Sequence, residues 1–193
     1  MLKDLVCNNR SIRRFDATHP VTKDELYSLV NLARLSPSAA NRQPLKYVIA
    51  YEKEDLDKIF PCIGWAAYLQ DWKGPEPKQR PTAYIVMITE MQIAPHVNID
   101  PGIAAQTIML GATELGLGGC MIASINKNKI RRILKIPNYY EVLLTIALGK
   151  PDEKVIVDEI DKDGDIRYWR DDNDVHHVPK RKLEDIIIDF KNQ

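Results

Sequence analysis

Apolar positions along the chain change period several times, and each change marks an element. Residues 2–8 and 22–36 follow the spacing of a helix with one apolar stripe. The second opens at Thr22 with Glu25 three residues on, a capping box in which each side chain reaches the other's backbone amide. Leu26, Leu29, Val30, Leu32 and Ala33 form its stripe, and Pro37 ends it. Runs of β-branched and aromatic residues at Tyr47–Tyr51, Ala83–Thr89 and Val142–Leu148 predict strands, with a shorter fourth at Cys120–Ser124. Asp100 before Pro101 predicts an N-cap with proline at the first helical position. Ile103, Ala104, Ile108, Met109, Ala112 and Leu115 carry that helix to Gly116, and a helix apolar on nearly every side is expected to be buried.

Residues 71–81, DWKGPEPKQRP, hold three prolines and several charges and read as a surface excursion in which Trp72 is out of place. Just before it, Trp65 and Tyr68 stand three apart on a predicted helix, where they serve either the core or the wall of a substrate pocket. No repeat, Gly/Ser linker or low-complexity tract divides the chain. The expectation is a single α+β domain over residues 1–193, with a variable pocket segment at about 62–81 and a C-terminal extension at about 152–193.

Composition narrows the function classes. Lys+Arg and Asp+Glu both number 27, and a chain without net charge lacks the basic surface that displaces phosphate counterions, so no nucleic-acid partner is expected. No apolar run approaches the roughly 20 residues of a membrane span, and the start MLKDLVCNNR has no apolar core for a secretory signal. Cys7, Cys62 and Cys120 are too scattered for a zinc knuckle or a disulfide scaffold, so a reducing cytoplasm is the expected location and no metal is expected. The pair His176-His177 suggests either an ion site or two exposed or structural rings. Gly116, Gly118 and Gly119 lack the spacing of a dinucleotide fingerprint, and His19 and His96 belong to no nucleophile motif.

Two segments carry candidate chemistry. In Arg10-Ser11-Ile12-Arg13-Arg14-Phe15, three guanidinium groups and a hydroxyl fall within five residues. The planar fork of arginine matches phosphate oxygens, although a solvated basic turn has the same composition. The loop Ser36-Pro37-Ser38-Ala39-Ala40-Asn41-Arg42-Gln43-Pro44 offers small residues for close backbone approach and two amides for a heterocycle edge. A helix stop followed by a turn would use the same residues.

Taken together, RSIRRF and SPSAANRQP resemble the nitroreductase family, whose members show R-S-x-R-x-F and P-S-x-x-N-x-Q-P. The resemblance continues through Asn98–Gln106, similar to the family's central helix, and through Leu115–Ile122, similar to its helix-to-strand turn. Ala147–Pro151 resembles the strand end that follows.

The resemblance implies an α+β nitroreductase-like FMN fold, a mostly antiparallel sheet flanked by helices, working as a homodimer with FMN held between subunits. It implies NADH or NADPH as transient donor and a small electron-poor acceptor such as a nitro-aromatic, quinone or enone, reduced by ping-pong. Arg10 and Ser11 would hold the FMN phosphate and Arg13 the pyrimidine edge. Ser38, Ala39, Asn41 and Gln43 would approach the same FMN from the other subunit, and Ile122, Ala123 and Ser124 would lie on the flavin face. Lys180 and Arg181 would close the phosphate site, unless they form a charge pair flanking a helix. With the hard chemistry on the cofactor, no catalytic side chain is expected. Other readings are a dehalogenase-like or flavin-fragmenting branch, an FMN sensor or carrier, and an interaction domain that binds an acidic partner through RSIRR.

Overall fold

The computed structural model describes residues 1–94 and 96–189. The chain divides into two compact units, Met1–Trp65 with Lys73–Asp152, and Ala66–Trp72 with Glu153–Gln193.

In the first unit the elements run α1 (Leu2–Asn8), β1 (Phe15–Asp16), α2 (Lys23–Arg34), β2 (Leu45–Ala50), α3 (Lys53–Ile59), β3 (Ala83–Glu90), α4 (Asp100–Glu114), β4 (Gly118–Ile122), α5 (Lys127–Ile133) and β5 (Tyr140–Pro151). The sheet order is β2-β3-β5-β4, with β1 paired to the end of β5, and every pairing is antiparallel. β3 is buried from Ala83 to Thr89 because both faces are covered. Alternate side chains of a strand point to opposite faces. Thus Ile85 and Met87 join Leu26, Leu29, Ala105, Ile108 and Met109 in the core under α2 and α4, while Val86 and Ile88 join Cys62, Ile130 and Val142 on the other side.

A bulge keeps β5 in step with both cores. Met87 faces Leu144 but Ile88 faces Val142, so one extra β5 residue flips the parity and turns Val142 to the face opposite Ile146. The two helices approach closely at Gly111, where a Cβ would stand 2.5 Å from Leu32 Cδ1 and 3.0 Å from Leu29 Cδ2. Leu29 is wholly buried, and its truncation to alanine would cost about 2–5 kcal/mol through lost transfer energy and the cavity left behind.

The predicted capping box is present: Glu25 N–H donates to Thr22 Oγ1, and Thr22 N–H donates to Glu25 Oε2. Two expectations are corrected. Ile99, not Asp100, is the N-cap of α4, and Asp100 begins the helix with its carboxylate turned elsewhere. Trp65 and Tyr68 do not share a helix, since Ala66 between them has φ +35°, outside the helical region. Trp65 lies in the first unit beside Phe60, with ring centroids 5.8 Å apart, whereas Tyr68 belongs to the second.

The second unit holds β6 (Val155–Ile160), β7 (Trp169–Arg170), β8 (His176–Arg181) and the short α6 (Leu183–Ile186). β8 runs parallel to β6 and antiparallel to β7. Trp72 is placed here: the Arg170 guanidinium lies 4.6 Å over its ring and bonds to Glu153 at 2.8 Å. His176 is fully buried beside Tyr168, while His177 stacks on Trp169 at 4.1 Å and its Nδ1 lies 2.9 Å from Asp158 Oδ2. Successive strand residues face opposite ways, so the two imidazoles are structural and do not converge on one ion.

Candidate functional site

The arginine segment is fastened by its backbone and by two buried apolar side chains, which leaves its polar side chains exposed or half-buried. Asn9, just beyond α1, donates from Nδ2 to the Met109 carbonyl and to Thr113 Oγ1, both at 2.9 Å, and accepts from Gln106 Nε2 at 3.2 Å. Ser11 bridges Gly119, and Ile12 N–H donates to the Gly119 carbonyl at 2.8 Å. Asp152 N–H donates to the Arg14 carbonyl at 2.9 Å, and Phe15 pairs with Pro151. Buried Ile12 and Phe15 are the apolar anchors between the polar positions.

A tight approach explains the glycine pair at the start of β4. A Cβ on Gly118 would meet Ile12 Cγ1 at 2.7 Å, and one on Gly119 would meet the Ala147 carbonyl oxygen at 2.6 Å. The segment rests on this flat strip with Ser11 exposed and Arg10 and Arg13 half-buried. Arg10 Nη2 donates to the Val6 carbonyl at 2.7 Å, while its Nε is buried and, among the described residues, has no hydrogen-bond partner. A buried guanidinium donor without an acceptor costs about 1–3 kcal/mol, a cost that an anion on the outer nitrogens of this half-buried guanidinium would offset. Arg13 Nη1 donates to the Ser11 carbonyl at 3.4 Å.

The second segment is a loop held by Asp100. Its buried carboxylate accepts from Ser38 Oγ at 2.6 Å and from Ala39 N–H at 3.1 Å. Ser38 Oγ in turn accepts from Gln43 N–H at 2.9 Å, so this hydroxyl closes the loop internally. Gln43 Nε2 donates to Asn41 Oδ1 at 3.1 Å, and both side chains are exposed. Ala40, Asn41 and Gln43 have φ of 50°, 53° and 52°. Asparagine tolerates this region, but alanine and glutamine are strained there by roughly 1–3 kcal/mol each, as happens where surrounding structure enforces a functional backbone. The Asp100 carboxylate fastens the start of this strained stretch through Ser38 and Ala39. Its position before Pro101 suits an N-cap equally well, which is why the sequence reading assigned it that role and no place in the site.

Beneath the loop a cavity of about 190 Å³ is lined by Ser38, Gln43, Tyr47 and Asp100 among others. Burial, reinforced by the Asp100 charge, pushes the Tyr47 phenol up to about 12.

The remaining expected residues fall in two places. Ile122 is buried at the end of β4, and exposed Ala123 and Ser124 continue the chain, with the Ser124 carbonyl accepting from Gly64 N–H at 2.7 Å. Lys180 and Arg181 lie on β8 of the second unit, opposite Glu159 and Ile160, both exposed and directly before α6. Arg181 Nε donates to the Lys162 carbonyl at 3.3 Å. Arg10, Ser11 and Arg13 are therefore gathered beside β4, and Ser38 to Gln43 at the first turn of α4.

Comparison with known proteins bears on the family and the fold. An iodotyrosine deiodinase of Thermotoga neapolitana is 24% identical over 170 residues, covering 79% of this chain and 90% of that protein. An NADPH-flavin oxidoreductase of Vibrio harveyi is 24% identical over 167 residues, covering 78% of this chain and 65% of that protein. Among solved structures, an FMN-dependent nitroreductase of Clostridium difficile superposes with a TM-score of 0.64 at 28% identity, covering 78% of this chain and 87% of that one. The expected α+β fold with an antiparallel central sheet is the fold of these neighbours. The sequence model of the Nitroreductase family matches residues 8–150, well over half of the chain and both candidate segments, so this protein belongs to the Nitroreductase family.

Proposed function

We propose that the protein is an FMN-dependent NAD(P)H oxidoreductase that reduces small electron-poor acceptors, such as nitro-aromatics, quinones or enones, by a ping-pong cycle. The observation that carries this reading is Arg10, whose buried Nε lacks an acceptor within a backbone-fastened cluster of two further arginines and an exposed serine. That donor set fits a phosphate monoester: Arg10 and Ser11 would hold it by charge-assisted and neutral hydrogen bonds. When bound, FMN would supply hydride acceptance from the nicotinamide and hydride delivery to the acceptor.

The chain's own residues would position and polarise. Arg13 would place a fixed positive charge where electron density grows on reduction. The loop Ala39–Gln43 would present backbone and amide groups to the heterocycle edge, and Ile122 with Ala123 and Ser124 an apolar face. Relatives named for NADPH-flavin oxidoreductase and FMN-dependent nitroreductase activity support the cofactor and donor.

A homodimer with shared sites is part of the proposal. From Asp100, which holds the loop, to Met109, which holds Asn9, is nine residues along α4, about 14 Å at the helical rise. The cavity of about 190 Å³ under the loop is below the roughly 300–1,000 Å³ of small-molecule sites. Exposed Leu2, Val6, Leu35 and Ile99 supply apolar surface for a partner. In this reading the chain works as one domain, residues about 62–81 shape the acceptor pocket, and Lys180 and Arg181 add to phosphate retention.

The test is anaerobic. Purified protein should be yellow, should be bleached by NADH or NADPH, and should recover colour on addition of an acceptor. Protein that takes up no FMN refutes the reading, and flavin left unbleached by both donors points to a carrier instead. Arg10→Ala should weaken FMN binding by about 1.5–3 kcal/mol, and light scattering should report a dimer. The deiodinase relative favours a second reading, reductive dehalogenation by the same bound flavin, which halogenated phenols in the acceptor panel would detect.

A further inference from the structure

A second cleft, in the first unit, is lined by none of the residues assigned to the flavin. It has a volume of about 360 Å³, within the roughly 300–1,000 Å³ of small-molecule sites. Its walls include Tyr51, Phe60, Arg80 and Tyr84. Tyr51 follows the C-terminal end of β2, whereas the Asp100-held loop precedes the other end, so the strand, about 20 Å long, separates the cleft from the loop.

Arg80 distinguishes this cleft from an ordinary surface depression. Its guanidinium carbon lies 4.0 Å from the Phe60 ring centroid, and its Nε is buried with no hydrogen-bond partner. Among the described residues no carboxylate forms an ion pair with it. Desolvating a guanidinium without an acceptor is unfavourable, and the aromatic face beneath offsets only part of that cost. The Nε itself is closed off, but the terminal nitrogens are not buried and make no hydrogen bond among the described residues, so their two-donor edge is left with the geometry that a carboxylate completes by two parallel bonds. The other charges of the wall are Lys53 and Asp57, which are paired with each other. The cleft therefore carries one uncompensated positive charge, which a monoanion neutralises and a dianion would leave in negative excess.

We propose that this cleft is a ligand site for a small planar monocarboxylate, with its carboxylate on Arg80 and its flat body against Phe60, Tyr51 and the buried ring of Tyr84. Nothing in this site depends on flavin chemistry, and it stands or falls separately from the proposed activity.

The experiment uses the full-length protein, ¹⁵N-labelled, with sodium benzoate as probe and the Arg80 Nε–Hε resonance as reporter, identified by its loss in Arg80→Gln. Benzoate should shift that resonance saturably together with the Tyr84 and Ala17 amides. Benzamide, equal in shape but uncharged, should bind at least tenfold more weakly, and Arg80→Gln should lose the saturable shifts at Tyr84 and Ala17. An Arg80 resonance unmoved by benzoate overturns the proposal, as does benzamide binding as tightly. Equal shifts with inorganic phosphate would reduce the cleft to a general anion site and overturn the assigned ligand class. If Arg80→Gln does not fold, the comparison of benzoate with benzamide on the unsubstituted protein, its Arg80 resonance assigned directly, still decides.

Discussion

Asp100→Ala tests whether one carboxylate holds the candidate cofactor loop in its strained form. The substitution removes two bonds, from Ser38 Oγ at 2.6 Å and from Ala39 N–H at 3.1 Å. Each is charge-assisted and worth about 1.5–3 kcal/mol at full burial. Ala39 is exposed and Ser38 half-buried, so water recovers part of the loss, and a net local cost of about 2–4 kcal/mol is expected. The left-handed Ala40 and Gln43 store strain of the same order, roughly 1–3 kcal/mol each. Without Asp100 the strain is no longer opposed, and the loop should relax to ordinary φ values. Hydrogen exchange at the Asn41 and Arg42 amides, which donate to Ser38 O and Ala39 O, should accelerate by about tenfold or more, matching at least 1.4 kcal/mol. FMN affinity should fall by a similar factor. Asp100→Asn keeps one acceptor oxygen and should give an intermediate effect, because a neutral acceptor is about half as strong. Unaltered exchange at both amides in Asp100→Ala, with FMN affinity intact, would show that other groups hold the loop.

Three further outcomes are expected. Tyr47 titrates at about 12 in the folded chain against 10.0 as a free phenol; a raised folded pKa stabilises only while the group stays neutral, so its contribution is complete below pH 10 and is lost as pH climbs toward 12. Urea midpoints measured across that window should fall, and Tyr47→Phe should flatten the decline. Gly119→Ala would set a methyl 2.6 Å from a backbone oxygen and 3.0 Å from Met109 Sδ, costing about 1–3 kcal/mol by overpacking; an unchanged melting temperature would contradict that contact. Glu153→Ala leaves the Arg170 guanidinium without its 2.8 Å partner in a pair whose side chains are 1% and 10% exposed. A loss of about 3–5 kcal/mol is expected, read by urea unfolding, and a loss under about 1 kcal/mol would mean that the pair is effectively solvated.

The elements legible in the sequence were those whose own pattern decides them. α2 carries its capping box and stripe, and β3 is a continuous apolar run, so the expected and observed bounds nearly coincide. α3 was not foreseen although Lys53–Asp57 and Glu54–Lys58 pair across its turns, because charge spacing is a weaker signal than apolar period and the helix has a single buried residue, Ile59. β6, β7 and β8 were missed for a different reason. Val155–Ile160 is half exposed, and its partner is a segment of two histidines, one proline and two charges whose strand character comes from parallel pairing rather than composition.

The site divides along the same line. Arg10, Ser11 and Arg13 stand out as candidates because charge density is written in sequence order. The roles of Asn9 and Asp100 were not legible, since each acts on a residue about sixty to a hundred positions away. Ser38 shows how the two levels interact. Its hydroxyl, which the family resemblance points toward the cofactor, is engaged by Asp100 and by the Gln43 amide. In the proposed reading the loop meets flavin with its backbone and with the exposed amides of Asn41 and Gln43. It follows that Ser38→Ala should resemble Asp100→Ala in loosening the loop, and that the double variant should lose less than the sum of the two, since the Ser38–Asp100 bond is common to both. Additive losses of FMN affinity in the double variant would place the Ser38 hydroxyl on the cofactor after all.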